Sequence, residues 1–227
     1  MPLTNWKLSP SDFAFLWDAC RRCFYLKVVR QIPRPRPPMP KIFLRIDAAM
    51  KTYFAGKTTA EVTSLLPSGA MDCEERWVRS SSISRPGRSS SCFINGKSDA
   101  VVRFDDGSHG VIDFKTSEIN QKHVGLYGRQ LHAYAYALEH PAPGRPALSP
   151  VSRLGLLCVE PRDMMKTPEG DYAYRGRAEW IECPRDESAF LHFIGEVLAV
   201  LEMPGPPLAG DGCEWCRYRE VARSTGL

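Results

Sequence analysis

The chain has 227 residues, 43% of them hydrophobic and 25% charged, with a formal charge of +4; that suits one large globular domain or one domain with an appended lobe. Its first residues, MPLTNWKLSPSDF, lack the apolar centre of a secretory signal, and no apolar run approaches the ~18 residues of a membrane span. A cytoplasmic protein with no membrane partner is expected.

Charge is unevenly spread. Residues 1–41 hold Lys7, Arg21, Arg22, Lys27, Arg30, Arg34, Arg36 and Lys41 against Asp12 and Asp18, a local excess that suits a polyanionic partner. Within it, Ser9-Pro10-Ser11-Asp12 is a helix start, with Ser9 as N-cap, Pro10 at the first helical position and Asp12 in the positive first turn. One helix is predicted to continue through FAFLWDACRRCFYLK. Five prolines between Pro33 and Pro40 then impose an extended connector. KIFLRIDAAMKTYF resumes helical spacing, with Ile42, Ile46 and Ala49 as the predicted packing stripe, and SSSISRPGRSSSC reads as a polar loop. INGKSDAVVRFDDGSHGVIDFKTS follows as a β-hairpin. LYGRQLHAYAYALEH is a helix stopped by Pro141 and Pro143, with Leu131, Ala135 and Leu138 as its packing stripe. SRLGLLCVE and YAYRGRAEWIEC are strands, and DESAFLHFIGEVLAVLEM is an amphipathic helix ended by PGPP. The expected class is α/β (α+β): a small mixed sheet of three to five strands flanked by helices.

The hairpin carries unusual chemistry. A two-residue Asp106-Gly107 turn sets Asp99 opposite Phe114. A three-residue Asp105-Asp106-Gly107 turn, with Gly107 left-handed, sets Asp99 opposite Asp113. In the second register Asp99, Asp113 and Lys115 share one face, while Ile112 and Phe114 take the other. Facing carboxylates repel unless a counter-ion joins them, and Mg²⁺ or Mn²⁺ prefers such oxygen ligands. A lysine beside them can orient water or stabilise developing negative charge. An exposed Asp113–Lys115 salt pair is the plainer alternative.

GKSD followed, across a hairpin, by VIDFKTS resembles the core motif of the PD-(D/E)XK nuclease superfamily. Asp99 matches its first acid, Asp113 its second, and Lys115 its lysine. YGRQLHAYAYALE is similar to the Q-x-x-x-Y motif of the RecB-like branch, with Gln130 and Tyr134 on one helical face. The resemblance implies a restriction-endonuclease-like core and metal-dependent phosphodiester hydrolysis. It implies catalytic roles for Asp99, Asp113, Lys115, Gln130 and Tyr134, with the Phe114 carbonyl as a further metal ligand. That branch often has a His on a helix before the first acid, and here no His precedes His109. Asp47, or else Glu74 or Glu75, is the candidate replacement.

Cys20-x-x-Cys23 and Cys213-x-x-Cys216 stand at opposite ends of the chain. Paired CxxC spacings in a reducing compartment favour a metal over disulfides, either tetrahedral Zn²⁺ or an iron–sulfur cluster. The resemblance favours a [4Fe–4S] cluster, although relatives with such a cluster place one cysteine early and three late rather than two and two. Segments 1–41 and 204–227 would then form a cysteine-ligated lobe on a 42–203 nuclease core within a single domain. Cys73, Cys92, Cys158 and Cys183 are expected to be packing residues. Arg21, Arg22, Arg217 and Arg219 flank the ligands, and with Trp215 and Tyr218 they are candidate nucleic-acid contacts.

A DNA nuclease acting on single strands or duplex ends in repair, recombination or CRISPR-type defence is the expected function, exonuclease before endonuclease. No G-x-x-x-x-G-K-[ST] motif occurs, so unwinding would fall to a helicase or another repair or CRISPR protein partner. The alternatives are a nucleic-acid-binding module with weak or lost cleavage and a structural subunit of a repair or defence complex.

Overall fold

The computed structural model describes residues 4–35, 38–118 and 120–226. Its elements are β1 (Asn5–Leu8), α1 (Pro10–Phe15), α2 (Arg21–Val29), α3 (Lys41–Phe54), α4 (Thr59–Val62), β2 (Gly69–Asp72), β3 (Arg76–Arg79), β4 (Ile83–Ser84), β5 (Ser91–Ser98), β6 (Ala100–Phe104), β7 (His109–Lys115), α5 (Lys122–Glu139), β8 (Val151–Lys166), β9 (Tyr172–Cys183), α6 (Glu187–Leu201) and α7 (Glu214–Ser224). They form a restriction-endonuclease-like α+β fold. No described helix is long and apolar enough to cross a membrane.

A five-stranded mixed sheet runs β2-β6-β7-β8-β9, in which only β7 and β8 pair in parallel. A parallel pair needs a crossover, and α5 supplies it. The β6–β7 register pairs Ala100 with Ile112 and Arg103 with His109, as the three-residue turn requires. Gly107 there has φ +83°, and its N–H donates to the Phe104 carbonyl.

The pleat then sorts side chains into two cores. Val101 and Val111 pack with Leu131, Leu138 and Ile194 on the α5–α6 side, while Val102, Ile112 and Phe114 pack with Met50 and Phe54 of α3. Each such fully buried side chain contributes about 1.5–3 kcal/mol by removing apolar surface from water.

A second, four-stranded sheet was not anticipated. Its path is β1-β5-β3, and β4 also pairs with β5. β1 lies parallel to β5, which stitches the N-terminal segment to the core. β5 ends at Ser98 and β6 begins at Ala100, so Asp99 sits where the chain leaves one sheet for the other.

Three local expectations are corrected. The helix predicted through FAFLWDACRRCFYLK is two helices: the Leu16 and Trp17 amides both donate to the Asp12 carbonyl, and Cys20 becomes the N-cap of α2. The break allows Trp17 to pack edge-on against Phe24 and Phe193 of α6, and Phe13 edge-on against Phe193. In α3, Ile42 and Ala49 are exposed, and the buried positions are Met50 and Phe54 with Ile46 partly covered. Only the C-terminal half of that helix meets the sheet, where Phe54 stacks on Phe114 at 5.8 Å. The stretch expected to be all loop contains β4 and the start of β5. The connector between α2 and α3 has no regular structure over residues 31–35 and 38–40; Arg36 and Pro37 lie outside the described residues.

Candidate active site and cysteine centre

Asp113 sits inside β7 with its side chain toward α5, which leaves it 4% exposed. A carboxylate cannot be buried there without partners. Lys115, two residues along the same face, forms an ion pair with Asp113 Oδ2. From the helix, the Gln130 amide donates to Asp113 Oδ1 at 3.0 Å. Burial and the nearby Asp99 push the Asp113 carboxyl up to about 6, against the opposing pull of Lys115. Burial opposes the Lys115 charge, and Asp113 more than offsets that, so the ammonium is held tightly. It also lies over the Tyr127 ring at 4.2 Å.

Asp99 reaches β7 from the sheet junction, accepting a hydrogen bond from the Phe114 amide at 3.3 Å. Its other oxygen meets Lys51 Nζ at 2.9 Å. Lys51 was not singled out from the sequence, although its i,i+4 spacing from Asp47 on α3 was a readable signal. The same ammonium contacts Asp47 at 2.8 Å and Glu75 at 2.7 Å. Burial would lower the Lys51 pKa; the three acids raise it well above the ordinary lysine range. Asp47 and Glu75 therefore stand beside Asp99, while the Glu74 side chain is exposed and pairs with Arg76 instead.

Four oxygen-donor acids gathered around two lysines form a site rich in hard ligands. The Lys51 ammonium, held by three carboxylates, marks negative potential of the kind a divalent cation needs. Asp99 and Asp113 thus offer hard oxygen donors of the kind Mg²⁺ or Mn²⁺ takes, with waters completing its shell.

Tyr134 follows Gln130 by one helical turn and is 6% exposed. Burial and the charge of Asp113 raise its hydroxyl pKa, so it stays protonated. Leu131, Ala135 and Leu138 are buried beneath, as the helical spacing predicts.

The two CxxC pairs meet. All four Sγ atoms lie within 4.8 Å of one another, and no other comparable group of His, Cys, Asp and Glu ligands occurs among the described residues. Cys20–Cys216, Cys23–Cys216 and Cys23–Cys213 are 3.7, 3.6 and 3.8 Å apart. Cys20 caps α2 and Cys213 caps α7, so each pair sits at the positive end of a helix dipole, where thiolates are favoured. Gly210 N–H donates to Cys20 at 3.3 Å, Arg34 to Cys213 at 3.3 Å and Arg219 to Cys23 at 3.5 Å. Burial opposes ionisation of Cys20, yet main-chain amides, Gly210 foremost, and the neighbouring thiols bring it down to about 6. The donor set fits a thiolate-bound metal or cluster.

Burial alone raises Cys92 to about 12 and is the leading cause of the rise to about 11 at Cys73, Cys158 and Cys183, in keeping with packing roles.

The six candidate nucleic-acid contacts divide. Arg21 lies over Trp17 at 4.9 Å, Arg22 donates to the Pro207 carbonyl, and Arg219 serves Cys23 and the Pro33 carbonyl. Trp215 packs against the core. Arg217 and Tyr218 face solvent.

Residues 46–221 match the sequence profile of the PD-(D/E)XK nuclease superfamily. Among solved structures, one described as "Crystal structure of SSO0001" is similar, with a TM-score of 0.51 and 16% identity over 96% of this chain and 86% of that one. No curated protein matches the chain.

Proposed function

The chain belongs to the PD-(D/E)XK nuclease superfamily, and on that premise we propose that it is a metal-dependent deoxyribonuclease of the RecB-like branch. Its substrates are single strands or duplex ends in repair, recombination or CRISPR-type defence. The observation that carries the reading is the Gln130–Asp113–Lys115 arrangement, facing Asp99 across the sheet junction.

Asp99 and Asp113 would hold Mg²⁺ or Mn²⁺, with the Phe114 carbonyl and Asp47 as further donors. The metal would supply charge to the scissile phosphate and acidify a water. Gln130 fixes the Asp113 carboxylate, so its second oxygen faces Lys115. The Lys115 ammonium, held between Asp113 and Tyr127, is placed to orient that water or to stabilise negative charge on the phosphate. Protonated Tyr134 positions substrate beside Gln130. Exonucleolytic cutting is the preferred mode, and a helicase or other partner would supply unwound strands.

The cysteine centre acts as a clamp between α2 and α7, making the terminal segments one lobe. Three of the six sulfur separations are 3.6–3.8 Å and all lie within 4.8 Å, near the spacing in a tetrahedron of Zn–S bonds of about 2.3 Å. A [4Fe–4S] cluster, which puts each thiolate on a different iron, would hold the sulfurs farther apart. Iron, sulfide and zinc analysis of anaerobically purified protein separates these two.

Lys51 and Lys115 already satisfy Asp99 and Asp113, which favours a second reading: a binding module with little cleavage. One assay tests both. End-labelled single- and double-stranded DNA is incubated with Mg²⁺ or Mn²⁺ and either the parent protein or Lys115→Ala. Cleavage by the parent that is lost in the variant supports the nuclease, and the product ladder gives its direction. Binding without cleavage by either protein supports the module.

A further inference from the structure

A groove of about 930 Å³ opens between the N-terminal segment and the second sheet. Its walls carry Lys7, Lys27, Arg34 and Lys97, with Trp77 and Tyr134 between them. Lys27 is neutralised by Asp12 at 2.5 Å, with its side chain only 23% exposed, whereas Lys97 pairs with Glu75 but stays 44% exposed and open to a further acceptor. Lys7 is exposed and has no ionic partner among the described residues. Arg34 is half-buried and donates to Cys213 of the cysteine centre. The groove is therefore cationic, with Lys7 its unpaired ammonium among the described residues.

Trp77 adds a second signal. It is 59% exposed on β3, an edge strand, where nothing in the fold requires a large aromatic. Its cross-strand neighbour is Lys97, so an aromatic face and an ammonium are side by side. That is the pairing a protein uses to stack a base and hold the adjoining phosphate.

Two side-chain paths connect this groove to the acids. Lys97 pairs with Glu75, Glu75 with Lys51, and Lys51 with Asp99. On the other side Tyr134 lines the groove one helical turn from Gln130, which donates to Asp113. Gly96 makes the junction tight: a Cβ there would lie 2.7 Å from Pro10 Cδ and 3.4 Å from the Tyr134 ring. Tyr134 thus lines the groove and also feels the charges of Asp113 and Asp99, which do not themselves line it.

We infer that this groove takes one unpaired polynucleotide strand and leads it to Asp99 and Asp113, with bases on Trp77 and phosphates on Lys7, Arg34 and Lys97. The inference rests on the nuclease reading for what happens at the acids, and on the groove alone for binding. A duplex fits less well, because its bases already stack on one another and leave Trp77 no free face. The basic N-terminal segment thereby acquires a role at Lys7 and Arg34 rather than at Arg21 and Arg22. Arg34 also joins the groove wall to the cysteine centre, so the clamp holds one side of the strand path in place.

The test is fluorescence anisotropy of labelled oligomers of ~12 nucleotides, as DNA single strand, RNA single strand and DNA duplex, in EDTA so that nothing is cut. The full chain is compared with Trp77→Ala and Lys7→Glu, both at exposed positions, and with Lys166→Glu on the distant β8–β9 tip as a control. Single strands are expected to bind tighter than duplex. Trp77→Ala should weaken them about tenfold, in line with one lost stacking platform. Lys7→Glu should weaken them and flatten the salt dependence by about one phosphate contact. Lys166→Glu should behave as the parent. The DNA and RNA arms identify which strand is preferred. Tighter duplex binding, or unchanged affinity in both groove variants, overturns the inference. Parallel cleavage assays keep the two readings apart. If Lys115→Ala abolishes cutting while the groove variants bind and cut normally, the groove is refuted and the nuclease stands. If the parent never cuts but the groove variants lose binding, the reverse holds.

Discussion

Lys51→Met removes one ammonium and keeps most of the side chain's apolar length. In the protein that ammonium lies 2.8 Å from Asp47, 2.7 Å from Glu75 and 2.9 Å from Asp99. Opposite unit charges 4 Å apart attract by about 4 kcal/mol at an effective dielectric of 20. Desolvation and the 35–38% exposure of the Glu75 and Asp47 side chains reduce the net contribution of each contact well below that. A net loss of about 2 kcal/mol is expected in EDTA at neutral pH, read by urea unfolding. A divalent cation can take over the missing charge, so Mg²⁺ or Mn²⁺ should recover most of the deficit and raise the variant's stability more than the parent's. Lys51 and Lys97 hold the Glu75 carboxyl below its usual range. That stabilisation is present above the ordinary glutamate pKa and is lost as pH falls through the depressed value, so the deficit should shrink in acid. A variant as stable as the parent in EDTA, or one whose deficit is indifferent to Mg²⁺, would refute this account of the acid cluster.

Three further expectations are simpler. Gly155→Ala places a Cβ 2.3 Å from the Trp180 ring and 2.6 Å from the Ile181 carbonyl; the β8–β9 ladder must shift, and unfolding should cost about 1–3 kcal/mol less, visible as a lower urea midpoint. Cys213→Ser should reduce bound metal and lower Tm by about 10 °C, because the proposed clamp would join α2 to α7; unchanged metal content would contradict a four-thiolate site. The Asp113 carboxyl is raised to about 6 in the fold, so its contribution is fully present below the unfolded aspartate value and lost as pH rises through about 6. In EDTA, the stability of the parent relative to Asp113→Asn should fall by up to about 3 kcal/mol between pH 4 and 7, and a flat difference would remove the burial argument.

The hairpin shows how far local chemistry reaches. Gly107 at a left-handed position selects the three-residue turn, and the strand period of two then fixes which face each acid takes. Helical period places Gln130 and Tyr134 together on α5 in the same way. The boundaries of α3 and β9 were legible because proline and glycine punctuate them. All these features depend on residues near one another in the chain.

What the sequence could not supply came from contacts between distant segments. Lys51 on α3, Glu75 between β2 and β3, and Asp99 at the sheet junction meet only after α3 docks through Phe54 on Phe114. The helix broken at residues 16–20 has continuous helical spacing, and the break follows from burying Phe13 and Trp17 against α6 while presenting Cys20 to Cys216. The second sheet and its groove arise because β1 pairs with β5 across more than eighty residues. Periodicity and turn chemistry determined the elements and the acid–acid–lysine face. Tertiary packing decided which charges meet, because a charge placed on a helix or strand stays anonymous until another segment is buried against it.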